Sequence, residues 1–326
     1  MPSCRETAYE SVTAYIVRRI VQTVVVLLGV TLVTFILEHL LPGSIARAII
    51  GPKASKLQIV NFNHQYGLDR ALPIQYLSFL NQLIHGNLGY SFRLNQSVDS
   101  LVVHELPNDA ILVGSSLVLS LLIAIPIGVL QAARRNRVMD YGATAFSFLL
   151  YSMPSYLLGL LLIELFAINL RLLPAEAPQQ ATITGVLGHP AGLVLPIATL
   201  TLVSYALFSR YMRSAAIDSL AQDYVRTARA KGLSQRLVLT RHVLRNSVLS
   251  IATLVGLSLP GILTFGLIVE SLFNFPGIGL EYYTAAVNSD YPVEFGITVL
   301  VGIVTVLGNL VADVAYAVLD PRVHYD

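Results

Sequence analysis

The feature that most constrains this chain is a set of six apolar segments, each at least 18 residues long and free of Asp, Glu, Lys and Arg. A helix rises about 1.5 Å per residue, so about 18 residues span roughly 27 Å, close to the hydrocarbon thickness of a bilayer. Because lipid cannot satisfy backbone hydrogen-bonding groups, a segment that crosses it must be helical. The six segments are Ile20–Leu37, Ala110–Ala133, Tyr141–Ile163, Ala191–Ser209, Ser247–Val269 and Phe295–Ala312.

The composition supports the same fold class. Only 12% of the 326 residues are charged and 55% are hydrophobic, whereas soluble domains carry about 25% charged residues. So few charges cannot cover a water-facing surface, and lipid must cover much of the exterior. We therefore predict an all-α integral membrane protein in which residues 1–326 form a single transmembrane domain. The six predicted spans are about 18–40, 110–133, 141–168, 191–213, 247–270 and 294–319.

The distribution of Lys and Arg predicts the orientation of these spans. If the N-terminus is cytoplasmic, 15 of the 21 Lys and Arg side chains lie in cytoplasmic segments and six lie in outer loops. Cytoplasmic loops of membrane proteins carry the excess of Lys and Arg, so both termini are predicted to be cytoplasmic. The long segment 41–109 is then an extracytoplasmic loop, and segment 214–246, called the basic loop below, is cytoplasmic.

Local sequence in the basic loop predicts two short helices separated by a glycine. Asp223 is the predicted N-cap of the first helix, and the residues from Tyr224 to Lys231 are mostly good helix formers. Gly232 suits a left-handed stop, and Ser234 can cap a second helix that leads into the fifth span. Positive charge in such a loop also follows from the orientation rule alone, so the pattern leaves a topological role and a docking role both open.

The basic loop resembles the cytoplasmic loop of ABC importer permeases. That loop carries the EAA motif, which reads Glu-Ala-Ala, three residues, Gly, nine residues and Ile-x-Leu-Pro. With Gly232 as the anchor, only Ala228, Gly232 and Leu244 match the general motif. The form that begins at Asp223, Asp-Tyr-Val-Arg-Thr-Ala-Arg-Ala-Lys-Gly, is similar to the dipeptide/oligopeptide branch of the family. The mismatch with the general motif therefore indicates a branch of this family.

Other motifs fit the same branch, so the resemblance covers about residues 14–322. The outer loop, with Leu-Asp followed by Leu-Pro-x-Gln-Tyr, is similar to the B-type permease of these systems rather than to its C-type partner. The motifs are Tyr15-Ile-Val-Arg-Arg19, Leu41-Pro-Gly43, Tyr66-Gly-Leu-Asp69, Leu72-Pro-Ile-Gln-Tyr76, Gly89-Tyr-Ser-Phe92, Phe273-Asn-Phe-Pro-Gly-Ile-Gly279, Asp290-Tyr-Pro292 and Asp320-Pro-Arg322.

The resemblance implies the type I ABC importer permease architecture, in the bacterial cytoplasmic (inner) membrane. It implies a transmembrane permease subunit of an ATP-driven importer of oligopeptides or dipeptides. The implied partners are a second, C-type permease subunit, two ABC ATPase subunits or domains, an extracytoplasmic peptide-binding protein and membrane lipid, with no nucleic acid. It also implies that an ATPase docks on the first helix of the basic loop, the coupling helix. The docking residues would be Asp223, Tyr224, Arg226, Thr227, Ala228, Arg229, Lys231 and Gly232.

The sequence lacks the motifs of an ATP-hydrolysing chain. A nucleotide-binding Gly-x-x-x-x-Gly-Lys-Ser/Thr loop does not occur in it, and Gly51-Pro-Lys53 has the wrong spacing. No His-Glu-x-x-His pattern or cysteine cluster offers a metal site. We therefore expect no enzyme activity and no cofactor in this chain, with ATP and Mg²⁺ bound by partner ATPase subunits.

Polar residues in or beside the apolar segments are candidates for a substrate pathway. Ionisable groups inside a membrane are functional candidates by default, whereas small polar residues on a membrane helix often only pack helices together. Both roles are open for the helix residues. For Glu164 we favour an interfacial carboxylate that reaches water. The candidates are Thr201, Ser204, Tyr205, Glu164 and Glu270.

Two other classes of protein compete with the importer hypothesis. A secondary transporter driven by protons or sodium would show internal repeats and several ionisable residues at the midplane, and the sequence has no clear repeat. A membrane scaffold would leave the glycine-broken helices of the basic loop without a purpose. Within the family, nickel, glutathione and other small solutes are the alternatives to peptide.

Overall fold

A computed structural model describes residues 4–40, 45–51, 53–180 and 183–319. Within these ranges nearly all regular structure is helical, which confirms the all-α prediction, and a two-stranded hairpin is the exception. The motifs at 41–43 and 320–322 lie outside the described residues. The elements are α1 (Cys4–His39), α2 (Ile45–Ile50), α3 (Lys56–Tyr66), α4 (Leu72–Ile84), β1 (Tyr90–Ser91), β2 (Gln96–Ser97), α5 (Val98–Ala133), α6 (Val138–Ser152), α7 (Ser155–Leu162), the π-helix π1 (Ile163–Asn169), α8 (Ile183–Leu187), α9 (Pro190–Leu220), α10 (Asp223–Ala230), α11 (Gln235–Leu237), the π-helix π2 (Val238–Val243), α12 (Leu244–Phe273), α13 (Ile278–Asn288) and α14 (Tyr291–Leu319).

Several of these helices have the length and apolarity that a membrane span requires. Within the described residues, four helices qualify, and the bent pair formed by α6 with α7–π1 makes a fifth when it is counted as one span. The remaining predicted span, 247–270, lies within α12, whose 30 residues are long enough to cross a bilayer. The four helices are Val17–Leu37, Val98–Ala133, Pro190–Leu220 and Tyr291–Leu310.

The predicted span 141–168 is divided into two helices that meet at 107°. The break lies at Met153 and Pro154. Proline has no backbone N–H and also drives the preceding residue out of the helical region. Met153 is accordingly extended, with φ −86° and ψ 127°, and Pro154 becomes the N-cap of α7. The result is a sharp corner rather than the modest kink that an interior proline often causes.

The described residues divide into two compact units. The first unit takes in the residues up to Pro107 together with Gly277–Ala317, and the second is built mainly from Asn108–Pro276. The prediction that residues 1–326 form one transmembrane domain stays a prediction.

The first unit has an apolar core between the start of α5, α13 and the start of α14, where Val98, Ile278 and Val293 are buried. Close packing extends to Gly296, because a Cβ atom built there would lie only 2.7 Å from the carbonyl oxygen of Leu88.

A group of acidic residues lies beside this core. Burial raises the pKa of the Glu281 carboxyl above its ordinary value, and the carboxylates of Glu105 and Asp290 raise it further. Asp290 in turn accepts a 2.5 Å hydrogen bond from the hydroxyl of Ser91.

The second unit is organised around α9, which packs against α6, α7 and α12. In the most apolar stretch of α9, 61% of residues are buried, compared with 17–28% in the other three candidate spans. Three apolar clusters surround this helix, and the one at its C-terminal end includes Met212 and Ala216. Residues 214–220 of the basic loop form the last part of α9, and α10 follows after Ala221 and Gln222, so α10 begins beside the C-terminal end of a deeply buried helix.

Candidate functional site

The first helix of the basic loop, α10, begins one residue earlier than the sequence predicts. Gln222 occupies the N-cap position with extended backbone geometry, and Asp223 is the first helical residue. The prediction that Asp223 is the N-cap is therefore wrong. Its carboxylate accepts a 3.1 Å hydrogen bond from the Arg226 guanidinium, three residues further on. A negative charge in the first turn still complements the helix dipole, which explains why an acidic residue suits this position.

The glycine stop at the end of α10 is confirmed. Gly232 has φ +78°, in the left-handed region that favours glycine. The amide of Leu233 donates to the carbonyl of Ala228 at 3.3 Å and the amide of Gly232 donates to the carbonyl of Arg229 at 2.9 Å. These two bonds satisfy carbonyl groups that a helix end would otherwise leave without partners.

The predicted cap of the second helix is also present. The hydroxyl of Ser234 accepts a 3.4 Å hydrogen bond from the amide of Leu237. Leu233 and Val238 belong to the same apolar cluster on either side of this cap, as a hydrophobic staple requires. The second helix then passes through π2 before it continues as α12. The π-helix was not predicted, because its hydrogen-bond register leaves no mark in apolar periodicity.

The two sides of α10 have different environments. Val225 and Ala228, three residues apart, are buried in the cluster that contains Met212 and Ala216 of α9 and Val243 of π2. Residues three apart share one face of a helix, so this face fixes α10 to the unit. The remaining predicted docking residues are all exposed: Asp223, Tyr224, Arg226, Thr227, Arg229, Lys231 and Gly232.

Local hydrogen bonds hold several of the exposed side chains. The hydroxyl groups of Tyr224 and Ser219 lie 2.6 Å apart, and the Thr227 hydroxyl donates to the carbonyl of Asp223. Within the described residues, Arg229 and Lys231 have no such side-chain partner. α10 therefore presents a short surface with exposed cations at its C-terminal end.

An ion pair with a buried carboxylate, which sequence reasoning missed, joins α6 to α9. Asp140 is 1% exposed and accepts two hydrogen bonds from the Arg213 guanidinium, at 2.6 and 2.8 Å. The amide of Asn136 donates a third bond to the same carboxylate at 3.0 Å. A bidentate pair of this kind fixes both position and orientation. The available signal was an acidic residue that follows the basic stretch Arg134–Arg137 at the start of an apolar segment.

The predicted pathway residues of α9 lie inside the helix packing of the second unit. Thr201, Ser204 and Tyr205 are each about 95% buried, and the Thr201 hydroxyl donates to the carbonyl of Ser116 on α5 at 3.4 Å. These contacts are those of residues that pack membrane helices together. Their role in a substrate pathway stays a prediction.

The two acidic candidates differ in burial. Glu164 is exposed on π1 and accepts a 3.0 Å hydrogen bond from the Asn169 amide. Glu270 is buried on α12, and a Cβ atom placed on Gly266 would lie 3.6 Å from its carboxylate. Among the described residues, no group of three or more His, Cys, Asp and Glu side chains is arranged to hold a metal ion. Whether either carboxylate meets substrate stays a prediction.

Comparison with known proteins identifies the class. The family model described as "Binding-protein-dependent transport system inner membrane component" matches residues 124–325, and a companion model for the N-terminal part of such components matches residues 12–113. A helical protein with several apolar spans and a projecting basic loop is thus an inner-membrane permease component of a binding-protein-dependent transporter. The chain belongs to this family, and the resemblance drawn from its motifs is confirmed.

Curated relatives cover nearly the whole chain. It is 37% identical over 314 residues to the oligopeptide transport system permease protein AppB of Bacillus subtilis. That alignment spans 96% of this chain and 99% of the relative. It is 34% identical over 311 residues to the dipeptide transport system permease protein DppB of the same organism, spanning 95% and 97%. It is 34% identical over 323 residues to the probable D,D-dipeptide transport system permease protein DdpB of Escherichia coli, spanning 92% and 94%.

Proposed function

We propose that this chain is the transmembrane permease subunit of an ATP-driven importer of oligopeptides or dipeptides. The observation that carries the proposal is the two-sided helix α10, buried on Val225 and Ala228 and exposed on its polar residues. This is the form that a docking helix needs, because it must be fixed to its own subunit and accessible to another. The relatives whose printed names specify oligopeptide or dipeptide transport support peptide as the substrate.

The remaining components follow from this assignment. A second, C-type permease subunit completes the translocation pathway, two ATPase subunits or domains bind ATP and Mg²⁺, and an extracytoplasmic binding protein delivers peptide. Both termini and the basic loop lie on the cytoplasmic side, because that orientation gives the inner segments most of the Lys and Arg. The chain itself contributes no catalytic residue.

In the proposed mechanism, closure of the ATPases displaces α10. A groove on one ATPase holds the exposed face of the helix, where the cations Arg229 and Lys231 are available for acidic partners. α9 and α12 move with α10, because the apolar cluster on its buried face joins all three helices. The cavity between the two permease subunits then turns from the cytoplasm to the outside. A ligand shifts such an equilibrium only through its different affinity for the two states, and ATP binding to the ATPases supplies that difference.

The buried polar residues of α9 are proposed to border the pathway in the other state. Thr201, Ser204 and Tyr205 are packed against neighbouring helices here, so a rotation of α9 is needed to expose them. Glu164 and Glu270 would lie near the outer end of the same path. Hydroxyl groups can hydrogen-bond the backbone of a peptide, which is the same in every substrate, without selecting among its side chains.

The function is tested by purification of the chain in mild detergent with its genomic neighbours co-expressed. We expect a second permease and ATPase subunits to co-purify, and peptide with its binding protein to stimulate ATP hydrolysis in proteoliposomes. Labelled peptide should accumulate only when ATP is supplied. The proposal would be refuted if the chain purified alone and moved solute when driven by an ion gradient, whether or not ATP was present.

A further inference from the structure

The first unit contains a cavity of about 450 Å³ that the transport mechanism above does not use. It is lined by residues of α1, α2, α3, α4, the hairpin with the segment that leads into it, and α14. Small-ligand sites commonly have volumes of about 300–1,000 Å³. Two sequence motifs without a role in the proposed mechanism, at 66–69 and 72–76, supply part of one wall. The lining contains aromatic rings and side-chain amides, and it contains no Asp or Glu.

One cation is held at the wall by the turn after α3. Gly67 ends this helix in the left-handed conformation with φ +67°, and the Arg70 amide donates to its carbonyl at 3.2 Å. The Arg70 guanidinium lies over this glycine, since a Cβ atom placed on Gly67 would be 3.3 Å from Nε. Among the described residues, no carboxylate forms an ion pair with Arg70. Its charge is therefore available to an anion in the cavity.

A set of hydrogen bonds connects His39 to the turn that carries Arg70. The Gln75 amide group donates to the carbonyls of Leu68 and Arg70, at 3.1 and 2.7 Å, which turns its oxygen toward His39. That oxygen lies 3.0 Å from Nε2 of His39, and the carbonyl of Phe35 lies 2.8 Å from Nδ1. Both ring nitrogens of His39 therefore have partners within the protein, which fix the ring at the cavity wall. Gln75 thus joins His39 of α1 to the turn that carries Arg70.

Another part of the lining is aromatic. The rings of Phe62 and Tyr66 stack with centroids 4.3 Å apart, and the ring of Phe92 meets Phe62 edge-on at 5.7 Å. Tyr90 meets Phe92 edge-on at 5.1 Å. Aromatic groups in such offset and edge-to-face arrangements leave faces and edges on which another ring or a branched apolar group can pack.

We propose that this cavity binds a short peptide by its C-terminal carboxylate. Arg70 binds the carboxylate, and the terminal apolar side chain packs against the rings of Phe62, Tyr66 and Phe92. Gln65 and Gln82, which also line the cavity, are placed to hydrogen-bond a peptide group. The assignment of the anion to a peptide rests on the proposed function. An anionic lipid has a similar combination of charge and apolar body, and the experiment below separates the two.

The test uses the assembled transporter in nanodiscs of phosphatidylcholine, without its binding protein. Isothermal titration calorimetry compares the dipeptide Phe-Phe with its C-terminal amide. Because the carboxylate bonds are charge-assisted, Arg70→Gln should weaken Phe-Phe binding about tenfold or more. The amide should bind the unchanged protein about as weakly as Phe-Phe binds the variant. Gly67→Ala should also weaken Phe-Phe, because the new methyl group both strains the left-handed turn and crowds the Arg70 side chain, whereas Lys56→Gln, an exposed charge loss in the same loop, should have no effect.

Equal affinity for the acid and the amide would overturn the proposal. A lipid control would also overturn it. If phosphatidylglycerol in the nanodisc abolished Phe-Phe binding to the unchanged protein but had no such effect on Arg70→Gln, the site would belong to a lipid. Retention of the ATPase subunits shows that each variant is folded and assembled. ATP-driven uptake with the binding protein present is measured separately: its absence for every peptide refutes the proposed function, whereas normal uptake without carboxylate-dependent binding refutes only this site.

Discussion

Gly232 allows the role of the loop geometry to be tested without disturbing any packing. A Cβ atom added at this residue would meet no other atom within 4 Å, yet its φ of +78° is one that L side chains rarely adopt. Within this chain, a substitution there therefore changes only the conformational free energy of the turn that ends α10. Steric and conformational causes of a defect, which are usually mixed at a glycine, are separated at this position.

The expected penalties follow the tolerance of each residue for the left-handed region. Asn adopts this region readily. Placing Ala there costs about 1–2 kcal/mol of conformational free energy, and placing a β-branched Val costs more. A loss of 1–2 kcal/mol lowers the population of the closed turn about 5- to 30-fold. The predicted order of stability at Gly232 is thus Gly, Asn, Ala, Val. Side-chain volume predicts a different order, because Asn is much larger than Ala.

Two measurements on the same proteoliposomes test this prediction. Hydrogen exchange of the amides in 228–233, followed by mass spectrometry, should show protection that decreases from Gly232→Asn through Gly232→Ala to Gly232→Val. ATP-dependent peptide uptake should decrease in the same order, with the amount of protein in the membrane unchanged. Equal uptake in all three variants, or an order that follows side-chain volume, would contradict the reasoning.

Three further predictions concern charge. Arg213→Gln leaves the buried carboxylate of Asp140 without its charged partner, which should cost about 3 kcal/mol and lower the Tm in detergent, and Asp140→Asn added to it should recover part of the loss. Arg229→Glu should abolish ATPase co-purification, whereas Arg236→Glu, an equally exposed change on α11, should preserve it. Burial and two neighbouring carboxylates raise the pKa of Glu281, so this residue favours the folded state below its ordinary pKa and loses that contribution as pH rises through the raised value. Glu281→Gln should therefore raise the Tm at pH 8 and change it little at pH 4; a larger gain at pH 4 would refute this explanation.

The sequence predicted those features that depend on neighbouring residues. Charge-free runs located the long helices, because lipid permits no other use of such a segment. The stop at Gly232 and the cap at Ser234 were also predicted, since each depends on the conformational preference of one residue. The N-cap of α10 was misplaced by one position, from Gln222 to Asp223, because Asp suits the N-cap and the first turn for related electrostatic reasons.

Features that depend on distant residues could not be predicted. Asp140 and Arg213 are 73 residues apart in sequence, and nothing in either neighbourhood specifies the other. The 107° corner at Pro154 depends on what the two halves pack against, since proline alone is compatible with a modest kink. The burial of Ser204 depends in the same way on neighbouring helices. A serine that lines a path and a serine that packs against a helix look the same in the sequence.

The positions of the missed and the predicted residues together explain how displacement of α10 can reach the membrane. An exposed helix transmits a force only if it cannot slide on its support, and burial of a Val side chain such as Val225 contributes about 1.5–3 kcal/mol of attachment. Its cluster includes Met212, the residue next to Arg213, which is fixed to α6 through Asp140. Apolar contact thus joins α10 to α9, and one charge pair joins α9 to α6 within the same turn of helix. Movement of α10 is therefore expected to carry α6 and α9 together rather than to bend the loop alone.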